Sequence, residues 1–303
     1  MKSLTHSFSG KKYFFKFLVL SAIAVIFCVF GPFWLQDAIA ILGILTFGIL
    51  HGANDLKIIA RKTSQSAQSD RMKFFGLYIG VVFLGILLFF YLPRFALPSF
   101  VLVSCYHFGE QHWSGRIKNS KLKLWIYFIY GALVFNLLFT LQYLPSVQVI
   151  TQITSVVLPP HFFWIGLLLT SSGFVLLIGG EKINSITVLM EIIFLFVLAL
   201  LFAYASLLFA FGFYFVVWHS IPSLNSQLKY IYGTTQQNAF LRYVKSALIY
   251  WVGALGGLFL FYYFIEVEEA YLLSIFFSFL AAITFPHAIV MGLMFQSEGA
   301  DED

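Results

Sequence analysis

Apolar stretches long enough to span a bilayer recur along almost the whole chain, separated by short polar breaks. They fall near residues 14–33, 38–59, 74–92, 97–114, 124–143, 161–180, 184–204, 206–228, 243–265 and 270–295. The apolar run from 186 to 218 is too long for one helix, so a turn is predicted near Tyr204-Ala205-Ser206. No soluble domain and no low-complexity segment interrupts the pattern, and Thr63–Asp70 reads as a polar loop. The pattern predicts an all-α fold: a polytopic membrane helix bundle of about ten transmembrane helices, forming a single integral membrane domain over 1–303.

Composition removes the alternative of a soluble protein. Of 303 residues, 60% are hydrophobic and only 10% charged, whereas soluble domains carry about 25% charged residues. The 38 Phe, 16 Tyr and 6 Trp suit a pocket for a long, rigid, apolar ligand, although lipid-facing and interfacial positions account for most of them. Cys28 and Cys105 lie in apolar runs, which speaks against a structural disulfide and leaves no cysteine-based metal motif. Lys2, Lys11, Lys12 and Lys16 before an apolar run resemble a signal peptide. No small-residue cleavage site follows, so the run reads as a retained first span.

Charge sets the orientation. With the N-terminus inside, all but Arg94 of the 18 Lys and Arg residues fall on the cytoplasmic side, Lys118 and Lys182 among them. The positive-inside rule therefore favours ten spans with both termini cytoplasmic, in a multi-pass cytoplasmic (inner) membrane protein. Glu266, Glu268 and Glu269 then lie outside, which the rule permits because acids weigh little. The inner-loop lysines report topology and give no sign of nucleic-acid binding.

The candidate chemistry is histidine in apolar surroundings. His51, His107, His219 and His287 fall on the second, fourth, eighth and tenth spans, all running inward. Each precedes a charged residue (Arg61, Arg116, Lys229, Glu298) by 9 to 11 positions. At about 1.5 Å per residue the four share one depth within about a helical turn, where they can converge on one ion. Ionisable groups inside spans mark function, and imidazole nitrogen suits iron, copper, zinc or nickel. An all-histidine, redox-capable site with open positions favours iron and dioxygen.

Neighbouring polar residues extend the site. Asp55 follows His51 by four positions, where it either orients a ligand imidazole or pairs with Lys57 at the membrane edge. Gly52 and Gly109 allow close backbone approach. His112, five residues beyond His107, points about 140° away on a regular helix. It reads as a pocket or supporting group, or as a partner for Glu110. Pro222 and Pro286 imply kinks. His6 and His161 are assigned no role.

The strings His51-Gly-Ala-Asn-Asp55, Tyr106-His107-Phe-Gly-Glu-Gln-His112-Trp113, Trp218-His219-Ser220 and Phe285-Pro286-His287 resemble the Brp/Blh-type β-carotene 15,15'-dioxygenases of bacteria and archaea. The resemblance implies a membrane-embedded, Fe(2+)-dependent enzyme. It would use O₂ to cleave β-carotene, or a related carotenoid, at the central 15,15' double bond. Two all-trans-retinal result, commonly for a microbial rhodopsin. It also implies iron ligands at His51, His107 and His219. The family often carries a further histidine where this chain has Ser223; a serine hydroxyl is a poor substitute for imidazole, and the matched depth favours His287 as the fourth ligand.

Two other classes compete. A haem electron-transfer protein needs histidine pairs, usually at two depths. A proton or ion transporter spreads polar residues across the membrane, whereas these lie at one level. The clustered histidine boxes of a desaturase are absent.

Overall fold

The computed structural model describes residues 11–62, 68–117, 120–181, 183–233, 235, 237–264 and 268–300. Lys2, His6, Lys118, Lys182 and Glu266 lie outside them. Among the described residues the fold is helical throughout, with no strand. The chain runs through α1 (Lys11–Phe30), α2 (Phe33–Gly43), α3 (Asp55–Lys62), α4 (Gln68–Tyr91), α5 (Pro93–Trp113), α6 (Lys123–Leu141) and α7 (Tyr143–Thr154). It continues through α8 (Pro160–Gly179), α9 (Ser185–Tyr204), α10 (Leu207–Phe213), α11 (Ile221–Tyr232), α12 (Gln237–Phe264) and α13 (Leu272–Ala300). Two π-helical segments, Ile44–Gly48 after α2 and Tyr214–Ser220 between α10 and α11, complete the core.

Among the described residues, eight helices are long and apolar enough to cross a membrane. They correspond to the expected spans except the second and fourth. The second is not one helix: its apolar part stops after 16 residues, Phe33–Gly48, turns through His51–Asn54, and resumes as the short α3. The fourth, α5, has 21 residues but carries His107, Glu110, Gln111 and His112 among its apolar positions. The turn expected at Tyr204–Ser206 is present, because Ser206 leaves helical geometry and its hydroxyl accepts from the Phe209 amide. α7, by contrast, occupies a stretch that the hydropathy pattern leaves between spans.

The outer surface is apolar. Phe30, Phe90, Leu176, Ile249 and Phe264 stand exposed, which only a lipid environment accommodates. α4 and α12 bury little of themselves in the bundle, while Leu207–Tyr232 runs through its centre. Cys28 and Cys105 are free thiols in the interior.

Close approach is built by glycine where α5 meets α6. A Cβ on Gly109 would collide with the Tyr127 carbonyl, and one on Gly131 with the Cys105 carbonyl. Small residues at crossings let membrane helices pack backbone to backbone. The same device joins the π segments, because a Cβ at Gly48 would stand 2.7 Å from the Phe215 ring. π-bulges displace side chains from regular helical positions and are frequent at functional sites. Here Ser220 donates its hydroxyl to the Phe215 carbonyl, 2.9 Å away. Pro222 follows at the start of α11, where the π segment passes into regular α-helix without a break. Pro286, in contrast, sits inside α13, which runs through it without interruption.

Candidate metal centre

Four helical elements that are distant in sequence bring four imidazoles together. His51 comes from the turn after the first π segment, His219 from the second π segment, His107 from α5 and His287 from α13. Their rings form a closed circuit: His51–His287 4.6 Å, His287–His107 5.2 Å, His107–His219 4.7 Å and His219–His51 5.3 Å between centroids. Adjacent rings are near perpendicular, at 77° to 88°. One ligand-capable atom from each of His51, His219 and His287 lies within 4.8 Å of the others, with His107 completing the circuit opposite His51.

All four side chains are buried, yet both ring nitrogens of His51, His107 and His219 and Nε2 of His287 lack a hydrogen-bond partner. A buried polar atom left without a partner costs about 1–3 kcal/mol, so this many in one place demands an occupant. Neutral imidazoles repel nothing and accept a cation through their free lone pairs. The donor set fits an imidazole-binding transition metal and not a hard, oxygen-seeking ion.

Asp55 supports the circuit through α13 and not through its own chain neighbour His51. His287 Nδ1 lies 2.9 and 3.1 Å from the two Asp55 carboxylate oxygens, and the Tyr78 hydroxyl donates to the same group at 3.0 Å. A carboxylate accepts, so His287 donates from Nδ1, and Nε2 is the nitrogen left without a protein partner. That carboxylate–histidine pair is the usual support of a metal ligand. Lys57, the alternative partner, instead donates to the Tyr232 hydroxyl at 3.1 Å. Gly52 faces His287, and a Cβ there would meet its Nδ1 at 3.4 Å, an ordinary contact distance.

The turn that carries His51 is pinned from α11 and α12. The Tyr243 hydroxyl lies 2.9 Å from the His51 carbonyl and 2.7 Å from Gln227 Oε1. Asn54 donates to the Tyr243 carbonyl at 3.0 Å and accepts from Ser246 at 2.8 Å. Ser223 belongs to this chain of contacts: its hydroxyl accepts from Gln227 Nε2 at 3.2 Å.

His112 lies apart from the circuit. Its partner is Glu191 of α9 rather than Glu110, with Nε2 3.0 Å from Oε1. Arg116 pairs with the same carboxylate at 2.6 Å, and the Tyr130 hydroxyl donates to it in a short bond. The His112 ring stacks on Tyr130 and Phe194, and Trp218 packs against Phe194 at 4.0 Å and His112 at 6.3 Å. Glu110 accepts instead from Tyr106 at 3.0 Å. The sequence reading passed over Glu191, although a lone acid inside the apolar 184–204 stretch is itself a signal. Tyr78, Tyr243 and Gln227 carried no such signal, because each is ordinary in composition and acts only through contacts made in the fold.

An apolar cavity of about 520 Å³ opens against His51 and His287. Phe75, Val82, Phe215, Gly253 and Gly257 are among its walls, so it lies between the two most lipid-exposed helices, α4 and α12. Phe75 and Tyr250 face each other across it at 6.1 Å. Phe215 stacks on His219 at 5.6 Å and meets His51 edge-on at 5.5 Å.

A family model described as beta-carotene 15,15'-dioxygenase matches residues 42–295, which include all four histidines. The chain belongs to that family. Comparison with curated proteins and with solved structures returned no match.

Proposed function

We propose that this family member is an iron(II)-dependent dioxygenase that cleaves β-carotene at its central 15,15' double bond. O₂ is the co-substrate, and two all-trans-retinal form. The bond balance is simple: the carbon–carbon double bond and the O–O bond break, and each former alkene carbon gains one oxygen as an aldehyde. The observation that carries the reading is the circuit of four buried histidines, two of which, His51 and His287, line an apolar cavity, in a chain of the beta-carotene 15,15'-dioxygenase family.

His51, His107, His219 and His287 would hold the iron, which when bound supplies the redox chemistry that makes dioxygen reactive toward an alkene. The remaining work belongs to the protein. Asp55 fixes the His287 tautomer and ring plane. Tyr243, Asn54 and Gln227 hold the His51 turn in place. The aromatic and aliphatic wall excludes water and places one double bond of a conjugated series beside the histidines; placement decides regioselectivity because neighbouring polyene bonds are chemically alike. A lipid-soluble substrate would enter from the bilayer between α4 and α12, the two helices that bury least of themselves in the bundle.

In this reading the chain is a single domain with both termini cytoplasmic, embedded in the cell membrane, and its product serves a retinal-binding protein such as a microbial rhodopsin. The test is expression in a β-carotene-producing host with iron supplied and retinal measured by chromatography. Retinal formation with loss of carotene is the expected result. Unchanged carotene and no retinal, with the protein present in the membrane, would overturn the assignment.

A further inference from the structure

A second cavity, of about 450 Å³, lies on the other side of the aromatic wall from the first. It is bounded by α5, α6 and α7, with Val101, Phe135, Val149 and Phe211 among its walls. The two spaces are separated by little more than a pair of rings. Phe211 faces the second cavity and Phe215 the first, and the two stack at 5.5 Å with 13° between their planes. Phe277 closes onto Phe211 edge-on at 5.1 Å. Phe215 is also the ring that touches both His51 and His219, so the boundary between the cavities lies against the histidine circuit.

We propose that the two cavities are the two arms of one carotenoid site, each taking one ring-bearing half of the substrate, with rotation of the dividing rings Phe211 and Phe215 joining them. This rests on the carotenoid reading above and deepens it. Three observations carry it. The volumes, 450 and 520 Å³, are near equal, as a molecule cut into identical halves requires. Each lies within the roughly 300–1,000 Å³ of small-molecule sites. The unpartnered, buried nitrogens of His51 and His287 stand at one arm's inner wall, so a polyene threaded through both presents its middle to them. α7, which hydropathy did not anticipate, contributes a wall of the second arm through Val149.

The two arms can be filled separately. Gly253 lines the first arm and has nothing within 4 Å of where a Cβ would stand, so Gly253→Phe places a ring in free space. Val149→Trp fills the second. Binding to purified wild-type protein and to each variant would be titrated anaerobically by carotenoid absorbance. The two ligands are β-carotene and a β-apocarotenal that lacks one ring. Each single variant is expected to lose about tenfold or more in β-carotene affinity while holding the apocarotenal within about threefold, its slim end lying in the filled arm. The double variant is expected to lose both ligands. Wild-type β-carotene binding in either single variant, or equal loss of both ligands in both single variants, would overturn the two-arm site. The expected pattern in a protein that forms no retinal in air supports the arms and defeats the cleavage reading. Retinal formation with unaltered binding in the variants does the reverse.

Discussion

His287 and Asp55, 232 residues apart, meet through Nδ1 and a carboxylate oxygen at 2.9 Å. The contact ties α13 to the first turn of α3 and leaves His287 Nε2 as the nitrogen without a protein partner. Removing such a support typically lowers metal affinity by about 10- to 100-fold. Asp55→Ala is therefore expected to weaken iron binding by that factor, read by metal titration of the purified protein, with the helical content unchanged. Affinity equal to wild type would show that Asp55 does not position His287.

The ligand set makes a sharper prediction. His51→Ala, His107→Ala, His219→Ala and His287→Ala are each expected to abolish retinal formation and leave the purified protein without stoichiometric iron. Ser223→Ala is expected to keep both, because the Ser223 hydroxyl is engaged by Gln227, which joins Tyr243 and the His51 carbonyl. Elemental analysis with the retinal assay decides each case. Iron and activity retained in His287→Ala would remove that residue from the set.

Gly131 offers a stability test away from the chemistry. A methyl group there collides with the Cys105 carbonyl, whereas at Gly256 nothing lies within 4 Å. Gly131→Val is expected to cost about 3 kcal/mol or more, in the range of severe core overpacking and backbone clash. Gly256→Ala should be close to neutral. Thermal unfolding in detergent compares them, and a Gly131→Val protein melting with wild type would show that α5 and α6 need not pack so closely.

Glu191 is the hub for His112, Arg116 and Tyr130. Glu191→Gln removes the negative charge that pairs with Arg116, whose side chain is only 10% exposed. Breaking one side of a buried pair costs about 3–5 kcal/mol, and with this partial exposure the lower end is expected. A double-mutant cycle with Arg116→Gln measures the coupling. Additive effects of the two substitutions would mean that the pair contributes no interaction of its own.

The histidine circuit was legible in the sequence for a physical reason. An imidazole in an apolar span is rare enough to be noticed, and distance to the charge that ends the span measures its depth. Depth is one coordinate of three, however. It placed four rings at one level without saying which lay beside which, and it could not reveal that His51 sits in a turn. Asp55 was recognised through its spacing from His51, but its partner is His287, because the helix on which the spacing was counted breaks at His51–Asn54. His112 was correctly turned away from His107 by helical geometry, yet its partner on α9 lay outside any local argument.

By itself, then, the sequence determined the class of fold, the membrane environment, the four histidines and the family to which they belong. These follow from composition, hydropathy period and residue type, which are local quantities. Only the tertiary structure decided that the second span is broken and that two π segments meet. It alone supplied the Asp55–His287 contact, the Glu191 hub and the two cavities divided by Phe211 and Phe215. Those features depend on where side chains from distant helices pack, and packing is set by the shapes of all the partners at once.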